Sequence, residues 1–363
     1  MLLKKKKWIF NIHLIVAMIL VIPLFIICIS GAMLSYDKPI AKAINAIITP
    51  NSNKILNPDF ADLTSKFKAQ NPSLDISSIS YEANSRYYTI STSQNSKNIS
   101  YLVNDDGIIL SSDNGTKFMR TIRSLHRWLL FSEFDSTTIG RQIVAISTIG
   151  FIILTLSGIY LYLPALKNNF IKALTISFKS KKLMLAYKSH TALGVIFGII
   201  FLTMNFTGLF WPYDSVKKVF AWAYGVEIQQ RPKGGNKTAI IENRFNSDEL
   251  KTALIAIMPN FTNFDSISIS QSKPKHYTFN IKKANEQRVV TIDIDNPNLL
   301  TQTDASQNKN LARKVLDLHS GRAFGYLGEF VFCVASFIGG VIAILGFIIT
   351  YARIKPKSAK NKI

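Results

Sequence analysis

Five histidines occur in these 363 residues, and four of them stand in matched surroundings. His13 and His190 each lie at the start of an apolar run and are each followed 18 residues later by a glycine, Gly31 or Gly208. A Tyr-Asp pair then follows each glycine, Tyr36-Asp37 in one case and Tyr213-Asp214 in the other. His126 and His319 each close a Leu-His dipeptide shortly before a further apolar run. Two imidazoles on facing helices can take both axial positions of a haem iron, and a helix-bundle core is a usual place to hold such a group. With no iron position left open, that chemistry is electron transfer rather than oxygen activation. An interhelical hydrogen bond would account for one such histidine. Four in two matched pairs point to a shared partner, since ionisable groups inside membranes are functional candidates.

Zinc fits the same residues less well. Structural zinc takes four ligands and catalytic zinc three, whereas each pair supplies two histidines with no cysteine nearby. Asp317 or Glu329 could add a carboxylate beside His319, but no acidic residue lies near His13 or His190. Arg120, Arg123 and Arg127 surround His126 at helical spacing, and Arg322 follows His319 by three. Guanidinium forks suit carboxylates, so Arg123, Arg127 and Arg322 are candidates for haem propionates or an anionic substrate, with ordinary interfacial arginines as the alternative. His276 lies in a strand-like run and reads as a surface or core residue. Asn205 reads as an interhelical hydrogen-bonding group, and Trp128, Trp211, Trp222 and Phe324 as members of an aromatic belt.

The elements that position these residues are legible from hydropathy and charge. Hydrophobic residues make up 48% of the chain. Four runs, 9–35, 142–163, 191–212 and 330–351, reach the length of about 20 residues that crosses a bilayer. The first follows Lys4–Lys7 yet is longer than a signal-peptide core and lacks a small-x-small cleavage site, so a retained helix is expected. A formal net charge of +21 raises the question of nucleic acid. The distribution argues against it: all 22 acidic residues lie between Asp37 and Glu329, and none lies among Lys167, Lys172, Lys179, Lys181, Lys182 and Lys188. Basic residues gathered between spans and at both ends mark the cytoplasmic side of a membrane protein.

The expected organisation is therefore a first span at 9–36, an outer domain at 37–125, and a juxtamembrane segment with the second span at 126–163. A basic cytoplasmic connector follows at 164–189, then a third span at 190–212 and a second outer domain at 213–318. A second juxtamembrane segment with the fourth span at 319–352 and a basic tail at 353–363 complete the chain. Each outer domain reads as α+β: a helix at 58–70 with strands near 76–81, 87–93, 100–104 and 108–110, then a helix at 248–258 with strands near 266–270, 276–281 and 289–294. The fold class expected is a membrane α-helical bundle of four transmembrane helices carrying two extracytoplasmic α+β domains, built as a tandem internal duplication about an axis along the membrane normal. That arrangement sorts the histidines by side, His13 with His190 and His126 with His319. Because 18 residues are five helical turns, each early histidine is also expected to share a face with its glycine. Cys28 and Cys333 are read as packing residues. No Gly-rich phosphate loop, dinucleotide fingerprint or HExxH motif is present.

Several short motifs, in order, resemble the PepSY-associated transmembrane proteins of bacteria. They are the lysine-rich start with His13, Ser30-Gly31-Ala32, Leu125-His126-Arg127, Leu156-Ser157-Gly158-Ile159-Tyr160 with Leu163-Pro164, and Leu318-His319-Ser320-Gly321 with Phe324-Gly325. The resemblance covers nearly the whole chain. It implies PepSY-like outer domains, residence in a bacterial inner membrane with both termini cytoplasmic, and two b-type haems. Carried over, His13 and His190 would ligate the cytoplasmic-side haem and His126 and His319 the outer one. The implied activity is reduction of a ferric siderophore or other ferric chelate in the periplasm, with electrons from a quinol or a cytoplasmic reductase. Two other functions remain open on sequence: a membrane-anchored PepSY regulatory module without cofactor, and a component of an iron-uptake transporter. One departure from symmetry stands out. His126 precedes Gly140 by 14 residues whereas His319 precedes Gly328 by nine, so the outer pair is expected to sit less evenly.

Overall fold

The computed structural model describes residues 2–49, 53–94, 97–134, 136–228, 245–257, 264–283, 286–296, 301–302 and 307–354. Residues 355–363 of the expected basic tail and 229–244 of the second outer segment lie outside the described residues. The chain divides into two compact units, one of residues 1–40, 118–228 and 310–363 and one of residues 41–117 and 229–309.

The first unit is helical. Its long members are α1 (Leu2–Ser35), α5 (Thr137–Asn168) and α12 (Gly325–Ile354), and all three contain stretches long and apolar enough to cross a membrane. The remaining apolar run is not one helix. It forms α7 (Lys182–Ile196) and α8 (Gly198–Gly208), bent by 63° at Phe197, so among the described residues three helices are long and apolar enough to cross a membrane, or four spans when the bent pair is taken as one. The uninterrupted third helix expected from hydropathy is corrected here. Gly194 and Gly198 bracket the break, and glycines are where membrane helices kink. The helices close on one another: α1 packs on α12 and α5, α12 on α7, and α5 on α8. Small residues permit the approach, for a β-carbon at Gly150 would run into Leu20 and one at Gly339 into Cys28. Cys28 is thus a packing residue, and Cys333 donates weakly to the Ala32 carbonyl at 3.4 Å. A short helix α6 (Phe170–Leu174) sits in the basic connector, and α9 (Asp214–Ala223) packs through Ala221 with Phe210, Leu311 and Val315.

The second unit is a sheet covered by helices. Two segments of chain contribute β1 (Asp75–Glu82), β2 (Tyr88–Gln94), β3 (Lys97–Val103), β4 (Ile109–Ser112), then β5 (Ser266–Lys273), β6 (His276–Lys283), β7 (Glu286–Asp293) and β8 (Thr301–Gln302). Period-2 alternation places Ile79, Tyr88, Ile90, Ile269, Tyr277, Phe279 and Ile292 on the buried face, and a bulge between Ile76 and Ser78 brings Ile76 to the same face. The helices α3 (Phe60–Gln70) and α10 (Ser247–Ile257) bury Phe60, Leu63, Phe67, Leu250 and Ile257 in the same core. Asp59 caps α3, accepting from the amides of Ala61 and Asp62. The strand order β4-β3-β2-β1-β5-β6-β7-β8 differs from two separate domains, because β1 pairs antiparallel with β5. Two edges that each half would leave open are thereby closed, and one continuous core serves both. The chain also forms α2 (Asp37–Ile48), α4 (Asn114–Trp128) and α11 (Gln307–His319).

Candidate functional site

Each histidine stands at a defined point of an element. His13 lies in the fourth turn of α1 and His190 in α7; His126 occupies the last turn of α4 and His319 ends α11. The bundle brings them together in the pairs expected. The rings of His13 and His190 have centroids 6.4 Å apart at an interplanar angle of 86°, and those of His126 and His319 are 6.4 Å apart at 60°.

Every ring is held at its Nδ1. His126 donates to the Ile27 carbonyl at 2.9 Å and His190 to the Ile342 carbonyl at 3.1 Å. His13 donates to Ser157 Oγ and His319 to Thr207 Oγ1, each at 2.9 Å. These hydroxyls are acceptors here, since their own protons go to the carbonyls of Ile153 and Thr203. A carbonyl can only accept, so Nδ1 carries the proton and, in the neutral ring, Nε2 keeps its lone pair. Each ring is also seated against a glycine. A β-carbon at Gly158 would stand 3.3 Å from His13 Cε1, one at Gly346 3.1 Å from His190, one at Gly31 3.0 Å from His126 and one at Gly208 3.5 Å from His319.

A first-row metal bound by imidazole lies about 2.0–2.1 Å from the nitrogen, which places the centres of two coaxial ligating rings about 6.3 Å apart. Both pairs meet that spacing. Among the described residues no group of three or more His, Cys, Asp or Glu is placed to hold a metal ion, and each pair offers two ring nitrogens. The His13–His190 pair lines a cavity of about 580 Å³ that also touches Gly158, Gly194, Gly339 and Gly346. Lys6, Lys7 and Arg353 line it as well, from the start of α1 and the end of α12. Trp211 lies edge-on to His319, with centroids 5.6 Å apart.

The uneven spacing before Gly140 and Gly328 is taken up in the turns that follow His126 and His319. A β-carbon at Gly140 would meet the Trp128 carbonyl, and one at Gly328 the Gly321 carbonyl, so the two glycines do the same job. The first half carries a longer turn, with a 3-10 segment at Phe131–Phe134 and Leu129 and Leu130 both at positive φ. In the second half Gly321 takes that conformation without a side-chain clash.

The arginines have other partners. Arg123 pairs with Asp37 at 3.0 Å, Arg322 with Asp317 at 3.3 Å and with Glu329 at 4.0 Å, and Arg127 lies over the Trp128 ring at 4.8 Å. His276 lies in the sheet unit, 3.7 Å from Asp293. Asn205 donates within its own helix to Phe201 at 2.7 Å, which corrects the expected interhelical bond. Sequence reasoning passed over Ser157, Thr207 and the glycine seats as parts of the site, and used Lys6, Lys7 and Arg353 only as markers of topology. The signal available was the dipeptide: Ser30-Gly31, Ser157-Gly158 and Thr207-Gly208 each put a hydroxyl beside a glycine in an apolar run.

A family model described as the PepSY-associated TM region matches residues 10–353. No curated protein matches the chain.

Proposed function

The chain belongs to the family of PepSY-associated transmembrane regions, and from that premise we propose that it is a di-haem membrane reductase of ferric chelates. The observation that carries this reading is the equal 6.4 Å separation of the two histidine pairs, with every Nδ1 occupied. His13 and His190 hold one b-type haem and His126 and His319 the other. When bound, the haems supply one-electron transfer across the membrane to a ferric siderophore or similar chelate, whose oxygen donors release the metal once it is iron(II).

The protein's own residues do the rest. Gly158 and Gly346 clear the faces on which the inner ligands lie, while Lys6, Lys7 and Arg353 offer cations to carboxylates at one margin of the cavity. Arg123 and Arg322 already pair with Asp37 and Asp317, so of the three candidates Arg127, which lies over the Trp128 ring, is the one offered to an outer carboxylate. Four spans with the bent pair counted as one, a tandem duplication, and termini and connector in the cytoplasm of a bacterial inner membrane complete the reading. The sheet unit then faces the periplasm, where the chelate is met. The electron donor is a membrane quinol or a cytoplasmic reductase.

The test is a dithionite-reduced minus oxidised visible spectrum of detergent-purified protein, with haem counted per chain. Two b-type haems are expected, and reduction of a ferric hydroxamate by the prereduced protein should follow. A colourless protein, expressed with haem supplied, would overturn the reading in favour of a regulatory PepSY module without cofactor.

A further inference from the structure

Three of the four glycine seats are preceded by a hydroxyl residue: Ser30-Gly31, Ser157-Gly158 and Thr207-Gly208, whereas the fourth is Leu345-Gly346. The three hydroxyls have a common geometry. Each donates to the carbonyl four residues back in its own helix, Ser30 to Ile26 at 2.6 Å, Ser157 to Ile153 at 2.6 Å and Thr207 to Thr203 at 2.7 Å. What each then presents to the imidazole is a lone pair, at 3.3 Å for His126, 2.9 Å for His13 and 2.9 Å for His319. A hydroxyl that is itself donating is polarised and accepts more strongly. His190 has no hydroxyl of this kind and meets the Ile342 carbonyl alone, at 3.1 Å, whereas His13 and His319 have a hydroxyl in addition to the Leu154 and Met204 carbonyls.

We propose that Ser157 and Thr207 are positioning residues that hold the Nδ1–H tautomer and ring plane of His13 and His319 and raise the basicity of their Nε2, and that Leu345 leaves His190 the least supported of the four rings. This rests on the reading that the histidine pairs ligate haem iron. An acceptor at Nδ1–H shifts electron density toward Nε2, and a more basic axial ligand favours ferric over ferrous iron. Removing the acceptor therefore raises the midpoint potential of that one haem. Adding one beside His190 lowers the potential of the inner haem.

The experiment is a redox titration of the full-length protein in detergent, with haem counted per chain, for wild type, Ser157→Ala, Thr207→Val, Thr207→Ser and Leu345→Ser. Thr207→Val keeps the volume of threonine and removes the hydroxyl acceptor, leaving only the Met204 carbonyl; Thr207→Ser keeps the hydroxyl. The expected result is two haems in each variant. Ser157→Ala should raise only the inner potential and Thr207→Val only the outer, Thr207→Ser should restore the wild-type value, and Leu345→Ser should lower the inner. Loss of the outer haem in Thr207→Val with retention in Thr207→Ser supports the same role. Unchanged potentials in both Ser157→Ala and Thr207→Val overturn the proposal while leaving haem binding intact, as does equal loss of haem in Thr207→Val and Thr207→Ser. A wild-type protein without haem removes the parent reading and this inference with it.

Discussion

An imidazole fixed at Nδ1 has one nitrogen left to give, and in this protein all four such nitrogens belong to rings whose centroids stand 6.4 Å from a partner ring. Replacing His126 or His319 by alanine should halve the haem per chain and abolish chelate reduction, with the protein still inserted; a full haem complement in both single variants would contradict the assignment. The seats are as specific as the ligands. Gly31→Val places methyl groups where His126 Cε1 and Ser336 Oγ stand, an overpacking that costs about 1–3 kcal/mol, and pyridine-haemochrome quantification should show the outer haem lost. The interplanar angles add a spectroscopic expectation. A nearly perpendicular pair, as at His13–His190 with 86°, gives a more anisotropic low-spin EPR signal than the 60° outer pair, so the oxidised protein should show two distinguishable signals. Which histidines pair was legible from the order of the spans and the repeat, but the meaning of the His-to-Gly interval was not. Eighteen residues of α1 rise about 27 Å, so His13 stands beside His190 while Gly31 seats His126. The interval measures the separation of the two histidine pairs along one face of α1.

At the scale of elements, hydropathy located the apolar runs and missed the bend at Phe197, because apolarity reports depth in lipid and is indifferent to helix direction. In the sheet unit the strand positions follow from alternation, as with Tyr277, Phe279 and Ile281, but nothing local tells β1 that its second neighbour is β5. Ile79 and Ile269 face each other across that seam and are both fully buried. Ile269→Ala should destabilise the unit by about 2–5 kcal/mol. Because the core is shared, both halves should lose protection from proteolysis together. The two halves also repeat a buried phenol bonded to a carboxylate, Tyr88 to Asp105 at 3.0 Å and Tyr277 to Glu249 at 3.1 Å. Burial, helped by the facing Glu249 charge, pushes Tyr277 up to about 12, and burial with Asp105 raises Tyr88 too. Unfolded tyrosine ionises near pH 10. Stability is therefore full below pH ~10 and falls as pH rises toward the folded value near 12, the folded state holding the extra proton. Thermal melts of the detergent-solubilised protein should weaken across that window, and Tyr277→Phe should blunt the loss.

At the scale of the whole molecule, the charge pattern predicts that a reporter inserted in the lysine-rich connector, near Lys179, reads as cytoplasmic, while one in the Asp106-Gly107 turn reads as periplasmic. The same side for both would break the histidine sorting on which the two-haem reading depends. What the sequence determined alone was everything carried by neighbours in the chain: the apolar runs, the segregation of 22 acids from the basic stretches, the strand alternation, and the matched surroundings of four histidines. Hydropathy, charge and periodicity are one-dimensional signals and survive reading in one dimension. What only the tertiary structure decided joins residues 99 to 152 positions apart: the carbonyl or hydroxyl each Nδ1 meets. The glycine each ring lies on and the union of two half-sheets into one are of the same kind. Such contacts are set by helix packing and strand-edge pairing, which depend on the shape of the partner surface and leave no local pattern to read.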